Sequence, residues 1–352
     1  MLALQGLTPV ALAESLAISL AEARKIVSAV HRDRDLGVPL AEVRRVSMEA
    51  VRTHGHVPAL ALVREESSRL DPFRKLLLRR ANMDDSKDEL FETVRIPLER
   101  PGRFSVCVSS QVGCALACTF CATGRLGLRR NLESWEIVEQ VRWVRRGLGP
   151  GERVHGVVFQ GMGEPMANLD RVIEAIRVLC DPSAQAIDAR AITVCTSGLP
   201  TGIRRLAREL PKVRLGLSLG SAIPEARRRL MPIDDSFSLD AVLDAAIEHA
   251  RTTGLSPMWA MTLLHGVNDG EEHAQALAHR VLDFAQRSGV RPRLSILAYN
   301  RIDEDDDPFT RTPIEREDRF REILRQRGVF THKRYSGGSD VGAACGQLAA
   351  RP

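Results

Sequence analysis

Three cysteines, Cys114, Cys118 and Cys121, stand in a C-x3-C-x2-C run directly after a predicted strand. Three thiolates on one tight loop can hold three irons of a cubane 4Fe–4S cluster, leaving the fourth iron open to a substrate. A structural zinc site would want a fourth Cys or His close by, and residues 122–131 contain neither. Zinc completed from a distant residue, or a chance cluster, is the competing reading. The chain has seven cysteines, and Cys107 falls within the same fifteen residues as these three. Such clustering points to metal or redox chemistry in a reducing compartment rather than to a disulfide framework. Cys180 reads as a small buried hydrophobe.

A second group follows the predicted strand Val154–Gln160. In Gly161-Met162-Gly163-Glu164 the glycines let backbone approach a ligand closely; an ordinary turn is the plain alternative. A C-x3-C-x2-C run with an aromatic, Phe120, before its last cysteine resembles the radical S-adenosylmethionine superfamily. The flanks Cys107-Val-Ser-Ser-Gln-Val-Gly-Cys114 and Cys121-Ala-Thr-Gly124 are more specific, as are Gly161-Met-Gly-Glu-Pro165, Thr196-Ser-Gly198 and Ala343-Ala-Cys345-Gly-Gln-Leu348. With them, residues 88–348 resemble the RlmN/Cfr family of RNA adenosine methyltransferases.

That resemblance implies one 4Fe–4S cluster on Cys114, Cys118 and Cys121, with S-adenosylmethionine chelated to its open iron. It implies contacts to this cofactor from Gly163 and Glu164, and from Cys195, Ser218, Leu219, Gly220 and Asn300 at the ends of other predicted strands. Two of these depart from the family, which usually has serine where Cys195 stands and histidine where Gly220 stands. The resemblance further makes Cys345 the residue that accepts a methyl group. A radical formed on that methyl adds to the base, and Cys107 resolves the adduct by closing a disulfide with Cys345. Glu92, in Glu92-Thr-Val-Arg-Ile-Pro97, matches the proton acceptor. The bland readings are two buried thiols and an exposed charge at a strand edge. The implied product is adenosine methylated at a ring carbon, at carbon 2 or, in the Cfr branch, at carbon 8. Ser336-Gly-Gly-Ser-Asp340 carries a Gly-Ser-Asp closer to the Cfr branch. Ribosomal RNA is the implied substrate, with transfer RNA added in the carbon-2 branch, and flavodoxin or ferredoxin is the type of electron donor.

The elements that must position these residues are visible in the pattern. From about residue 94, β-rich runs alternate with helical stretches: Phe104–Ser109, Val154–Gln160, Ile192–Thr196, Val213–Leu219, Met258–Leu264, Arg293–Tyr299 and Phe330–Arg334. Helical patterns at Glu133–Arg146, Leu169–Leu179 and Leu239–Thr252 separate them, which means βα units and a parallel sheet. About six units predict a partial (β/α)6-type barrel with function on the loops after its strands; the resemblance makes it the radical S-adenosylmethionine barrel, over residues 90–335. Residues 1–85 are expected to form a small helical, basic domain that positions RNA, and residues 336–352 a tail carrying Cys345. Thr8-Pro9 and the capping box Ser19–Glu22 start helices, Leu40–Met48 suggests another, and Phe73–Arg80 reads as an amphipathic helix. Glu304–Asp307 reads as a solvated loop.

Composition bounds the rest. The chain has 352 residues, 44% hydrophobic and 27% charged, which fits a soluble globular protein. Net charge is +5, and residues 1–80 supply +4 of it (13 Lys/Arg against 9 Asp/Glu), which suits a polyanionic partner. Aromatic content of 4% argues against a platform of stacking rings. No apolar run approaches a membrane span, and Met1–Lys25 lacks a basic leader, so a cytoplasmic monomer is expected. A radical enzyme with a non-RNA substrate and a non-catalytic RNA-binding metalloprotein are the alternatives. The first has no use for the Cys107/Cys345 pair, and the second has none for Gly163, Glu164 and Asn300.

Overall fold

The structure, a computed structural model, describes residues 1–83, 89–302, 307–333 and 336–350. Ten strands make one sheet: β1 (Leu60–Ser67), β2 (Arg74–Arg80), β3 (Phe91–Pro97), β4 (Arg103–Cys107), β5 (Arg153–Phe159), β6 (Ile192–Thr196), β7 (Arg214–Ser218), β8 (Met258–Leu263), β9 (Arg293–Ala298) and β10 (Thr331–Lys333). They lie side by side in chain order, with β1 and β10 at the two edges. From β4 to β10 every pairing is parallel. A parallel pair needs a long crossover. Helices Ser134–Arg146, Leu169–Cys180, Pro200–Glu209, Leu239–Thr253, Glu271–Ser288 and Ile314–Gln326 lie within the six crossovers. Six βα units in a sheet that stays open make the partial barrel expected from the alternation. The seven predicted strand runs are β4–β10 to within two residues; Arg334 lies outside the described residues.

The run from β1 to β4 is antiparallel, and here the structure corrects the sequence reading. Phe73–Arg80 is a strand, not a helix, and the helical region ends at His54 instead of near residue 85. Leu76, Leu77 and Leu78 are all buried, because β2 sits inside the sheet with both faces covered. A run apolar on both faces carries no alternation that would distinguish strand from helix. Residues 60–80 therefore extend the main sheet.

Helices Pro9–Leu16, Leu20–His31 and Arg45–His54 form a separate small core of Leu12, Ala23, Ile26, Val27, Val30, Met48 and Val51. The Thr8 hydroxyl accepts from Ala11 N, and Ser19 and Glu22 form the expected capping box. Buried Arg142, on helix Ser134–Arg146, fastens this unit to the barrel. It donates to Val30 O at 2.8 Å and pairs with Asp33 at 2.5 Å and Glu139 at 2.7 Å. Among the described residues no helix is long and apolar enough to cross a membrane.

Candidate functional site

The cysteine loop leaves β4 through a short strand pair, Gln111–Gly113 with Leu128–Asn131. Cys114 N donates to Gly127 O at 3.0 Å, Cys121 N to Cys118 O at 3.1 Å, and Ala117 takes a left-handed turn at φ 50°. Thr119 N and Ala122 N tie the loop to Leu230 O and Gly346 O. Burial and mutual repulsion push the Cys114 and Cys118 thiols up to about 12 and raise Cys121 as well. No disulfide joins any of the seven cysteines. Among the described residues no three Cys, His, Asp or Glu side chains are close enough together to hold a single metal ion. The donor set fits a cluster: three soft sulfurs, buried where only cationic iron offsets the cost of ionising them.

The loop caps a cavity of about 140 Å³ at the C-terminal ends of β5–β9. Cys118, Cys121, Gly163, Glu164, Cys195, Ser218 and Gly220 line it. Gly163 has φ +98°, and a Cβ there would stand 2.6 Å from Gln111 Cβ, so this position takes only glycine. Glu164 is 3% exposed; its carboxylate accepts from Met166 N and Ser197 N, both at 2.9 Å, while burial raises its pKa. The two departures from the family each have a local partner. A Cβ at Gly220 (φ +67°) would meet Met231 Sδ, and Cys195 Sγ occupies the space that a Cβ on Gly216 of β7 would need. Buried Arg227 pairs with Asp234 at 3.0 Å and donates to Ser197 O at 2.7 Å, fixing the loop after β6. Leu219 does not line the cavity: its side chain packs in the main core.

Asn300 does not line it either. Its amide donates to Ser336 Oγ at 3.2 Å and to Cys345 O at 3.3 Å, and Cys345 N donates to the same Ser336 Oγ at 3.0 Å. The tail so held places Cys345 in the lining of the 140 Å³ cavity and of a second one of about 100 Å³, which Cys107 also lines. Glu92 on β3 is 1% exposed, not an exposed charge at a strand edge. Its carboxylate meets Lys75 Nζ at 3.1 Å and accepts from Ala349 N at 2.9 Å and Ala350 N at 3.1 Å. Thr123 Oγ1 donates to Leu348 O at 2.6 Å. A groove of about 750 Å³ opens above, lined by Glu92, Asn300, Arg64, Arg301 and Arg311.

Sequence reasoning missed four residues in and around this site. Lys75 sits in the segment read as a helix. Ser336 and Gln160 carry no chemical signature of their own, although Gln160 directly precedes the glycine turn. Asp307, read as part of a solvated loop, has its side chain buried and accepts from Tyr299 Oη at 2.8 Å and Ile302 N at 3.1 Å; Glu304–Asp306 lie outside the described residues.

Comparison with known proteins adds a family to this geometry. The model of the Radical SAM superfamily matches residues 108–278. A probable RNA methyltransferase of Sorangium cellulosum is 56% identical over 362 residues, spanning 97% of this chain and 90% of that protein. A dual-specificity RNA methyltransferase RlmN of Syntrophobacter fumaroxidans is 41% identical over 259 residues, 74% of this chain and 72% of its own. The crystal structure of a radical SAM methyltransferase from Sphaerobacter thermophilus aligns over 100% of both chains with a TM-score of 0.87 and 34% identity.

Proposed function

Because this chain belongs to the RlmN/Cfr family of radical S-adenosylmethionine RNA methyltransferases, we propose that it methylates carbon 2 of an adenosine in ribosomal RNA and in transfer RNA. The observation that carries the reading is the meeting of two cavities at Cys345. One contains Cys118, Gly163 and Glu164, the other Cys107, and they share Cys121, Gln160, Gly161, Cys345 and Gly346. A residue that receives a methyl group on one side and delivers it on the other needs such a position.

In this reading Cys114, Cys118 and Cys121 hold the cluster, and Gly163, Glu164, Cys195, Ser218 and Gly220 surround S-adenosylmethionine. Leu219 and Asn300 act from behind, through backbone and tail. When bound, the cofactor pair supplies the carbon radical chemistry that an electrophilic ring carbon demands. Cys345 carries the methyl group to the base, and the Cys107 thiolate attacks the Cys345 sulfur to free the product as a disulfide closes. Glu92 accepts the proton lost from the ring carbon. Residues 1–80, which carry +4 of the net charge, position the RNA, with Arg301 and Arg311 lining the groove. A flavodoxin- or ferredoxin-type protein supplies electrons, and the enzyme works as a cytoplasmic monomer. The test is anaerobic incubation of reconstituted protein with S-adenosylmethionine, reductant and unmodified ribosomal or transfer RNA, then nucleoside mass spectrometry. Carbon-2 methyladenosine is expected; unmodified adenosine alone would overturn the proposal.

A further inference from the structure

Gln160 ends the connection from β5 into the glycine turn and lines both cavities at Cys345. Its amide oxygen is shielded from solvent and has no hydrogen-bond partner among the described residues, and its NH2 group is likewise unengaged. The neighbouring buried glutamines differ. Gln111 donates to Asn131 at 2.8 Å and accepts from Glu164 N at 2.8 Å. Gln140 accepts from Ser109 N at 2.8 Å and donates to Ser109 O at 3.0 Å. Gln5 and Gln347, whose oxygens are also unpaired, still donate through Nε2 to Pro58 O and Arg301 O. Gln160 alone among these keeps both ends of its amide unused, at the place where the two cavities meet.

A shielded amide oxygen without a donor is costly to fold around, so a site that keeps one has a use for it in a complex. A primary amide offers an acceptor beside a donor. Its complement is a base edge with a donor beside an acceptor, which adenine presents as its 6-amino group next to a ring nitrogen; guanine presents two acceptors there. We propose that Gln160 pairs with the 6-amino edge of the target adenine, holding the base beside Cys345. This inference rests on the function proposed above, which supplies adenosine as substrate; the amide adds how adenine is chosen.

The test uses reconstituted holoenzyme and two short RNAs that differ only in carrying adenosine or purine riboside, which lacks the 6-amino group, at the target position. Both kcat/KM and RNA affinity are measured for wild type and for Gln160→Met, which keeps length and removes the amide. The adenosine RNA should lose roughly 5- to 150-fold, the range of a bidentate amide–adenine pair, while the purine riboside RNA, which keeps only the ring nitrogen for the amide to donate to, should lose a distinctly smaller factor, that of a single hydrogen bond. Equal losses on both RNAs would overturn the inference and mark Gln160 as packing. A weaker Kd for S-adenosylmethionine with an unchanged RNA preference would overturn it too, assigning the amide to the cofactor's adenine. Should the Met variant lose its iron, Gln160→Glu takes its place: a carboxylate accepts from the 6-amino group but donates nothing to the ring nitrogen, so an intermediate preference is expected and an unchanged one refutes. A wild-type enzyme that methylates neither RNA sinks the proposed function, and the affinity ratio still decides the role of Gln160.

Discussion

Replacing Glu92 by Gln should release the tail that carries Cys345. The Glu92 carboxylate bridges Lys75 on β2 and two amides, Ala349 N and Ala350 N, at the far end of the tail. Glutamine keeps the volume and one oxygen, but its NH2 must then face either the Lys75 ammonium or the tail's N–H donors. Stripping one partner from a buried ion pair costs about 3–5 kcal/mol. Lys75 retains Glu66 at 3.0 Å, so the lower end, about 3 kcal/mol, applies. The barrel core does not depend on this pair, and the loss falls on tail docking, whose equilibrium should shift about a hundredfold. Hydrogen exchange in the C-terminal peptide should accelerate by that factor, while peptides from β5–β9 keep their protection. The measurement is made without RNA or S-adenosylmethionine, so a proton-accepting role cannot contribute. Exchange at Ala349 and Ala350 unchanged within about threefold of wild type would refute the anchor. Lys75→Met in the same background should add little, since the two residues act as one unit.

Three further outcomes are expected. Alanine at Cys114, Cys118 or Cys121 should each abolish the iron–sulfur absorbance of anaerobically purified protein, and full iron loading in any of them would remove that residue from the ligand set. Cys345→Ala should form no protein–RNA crosslink, whereas Cys107→Ala should accumulate a denaturant-resistant adduct through Cys345, resolved on gels with and without ribonuclease; like behaviour of the two would void their assigned roles. Burial, with Arg142 beside it, lowers the His31 pKa from 6.5 to about 3. The unfolded chain then takes up a proton at His31 below pH 6.5 that the folded chain refuses, so stability is complete above pH 6.5 and falls on acidification toward pH 3. The slope is at most about 1.4 kcal/mol per pH unit. Urea midpoints at pH 7 and pH 5 should separate less in His31→Gln than in wild type.

The barrel was legible because each βα unit repeats a local pattern: a short β-rich run, a turn, then an amphipathic helix. Ile192–Thr196 is β6 to the residue, and helix Leu239–Thr253 ends one residue beyond its predicted limit. The cysteine loop was legible for the same reason, since all its sulfurs lie within eight residues of chain. Legibility failed where burial removed the alternation, as at Leu76–Leu78, and where a residue's partner came from far along the chain. Lys75 read as one more charge in a basic run because Glu92, which holds it, lies on the next strand.

The tail is the extreme case of such distance. Asp71, Glu92, Ala122, Thr123 and Asn300 hold residues 336–350 by hydrogen bonds, most of them to backbone groups. Backbone amides and carbonyls are present at every position, so no side-chain pattern announces these contacts, and a resemblance alone singled out Cys345. The same arrangement suits the role proposed for Cys345. A side chain on a strand faces one side of the sheet, and a cysteine on β5 or β6 would serve one cavity only. Cys345 instead lies on irregular chain between two glycines of positive φ, Gly342 at 64° and Gly346 at 87°. With Gly338 N bonded to Asp71 on one side and Ala349 N to Glu92 on the other, the segment is fixed at both ends and free of ladder constraints between them. A thiol carried this way borders both cavities, which no position within the parallel strands provides.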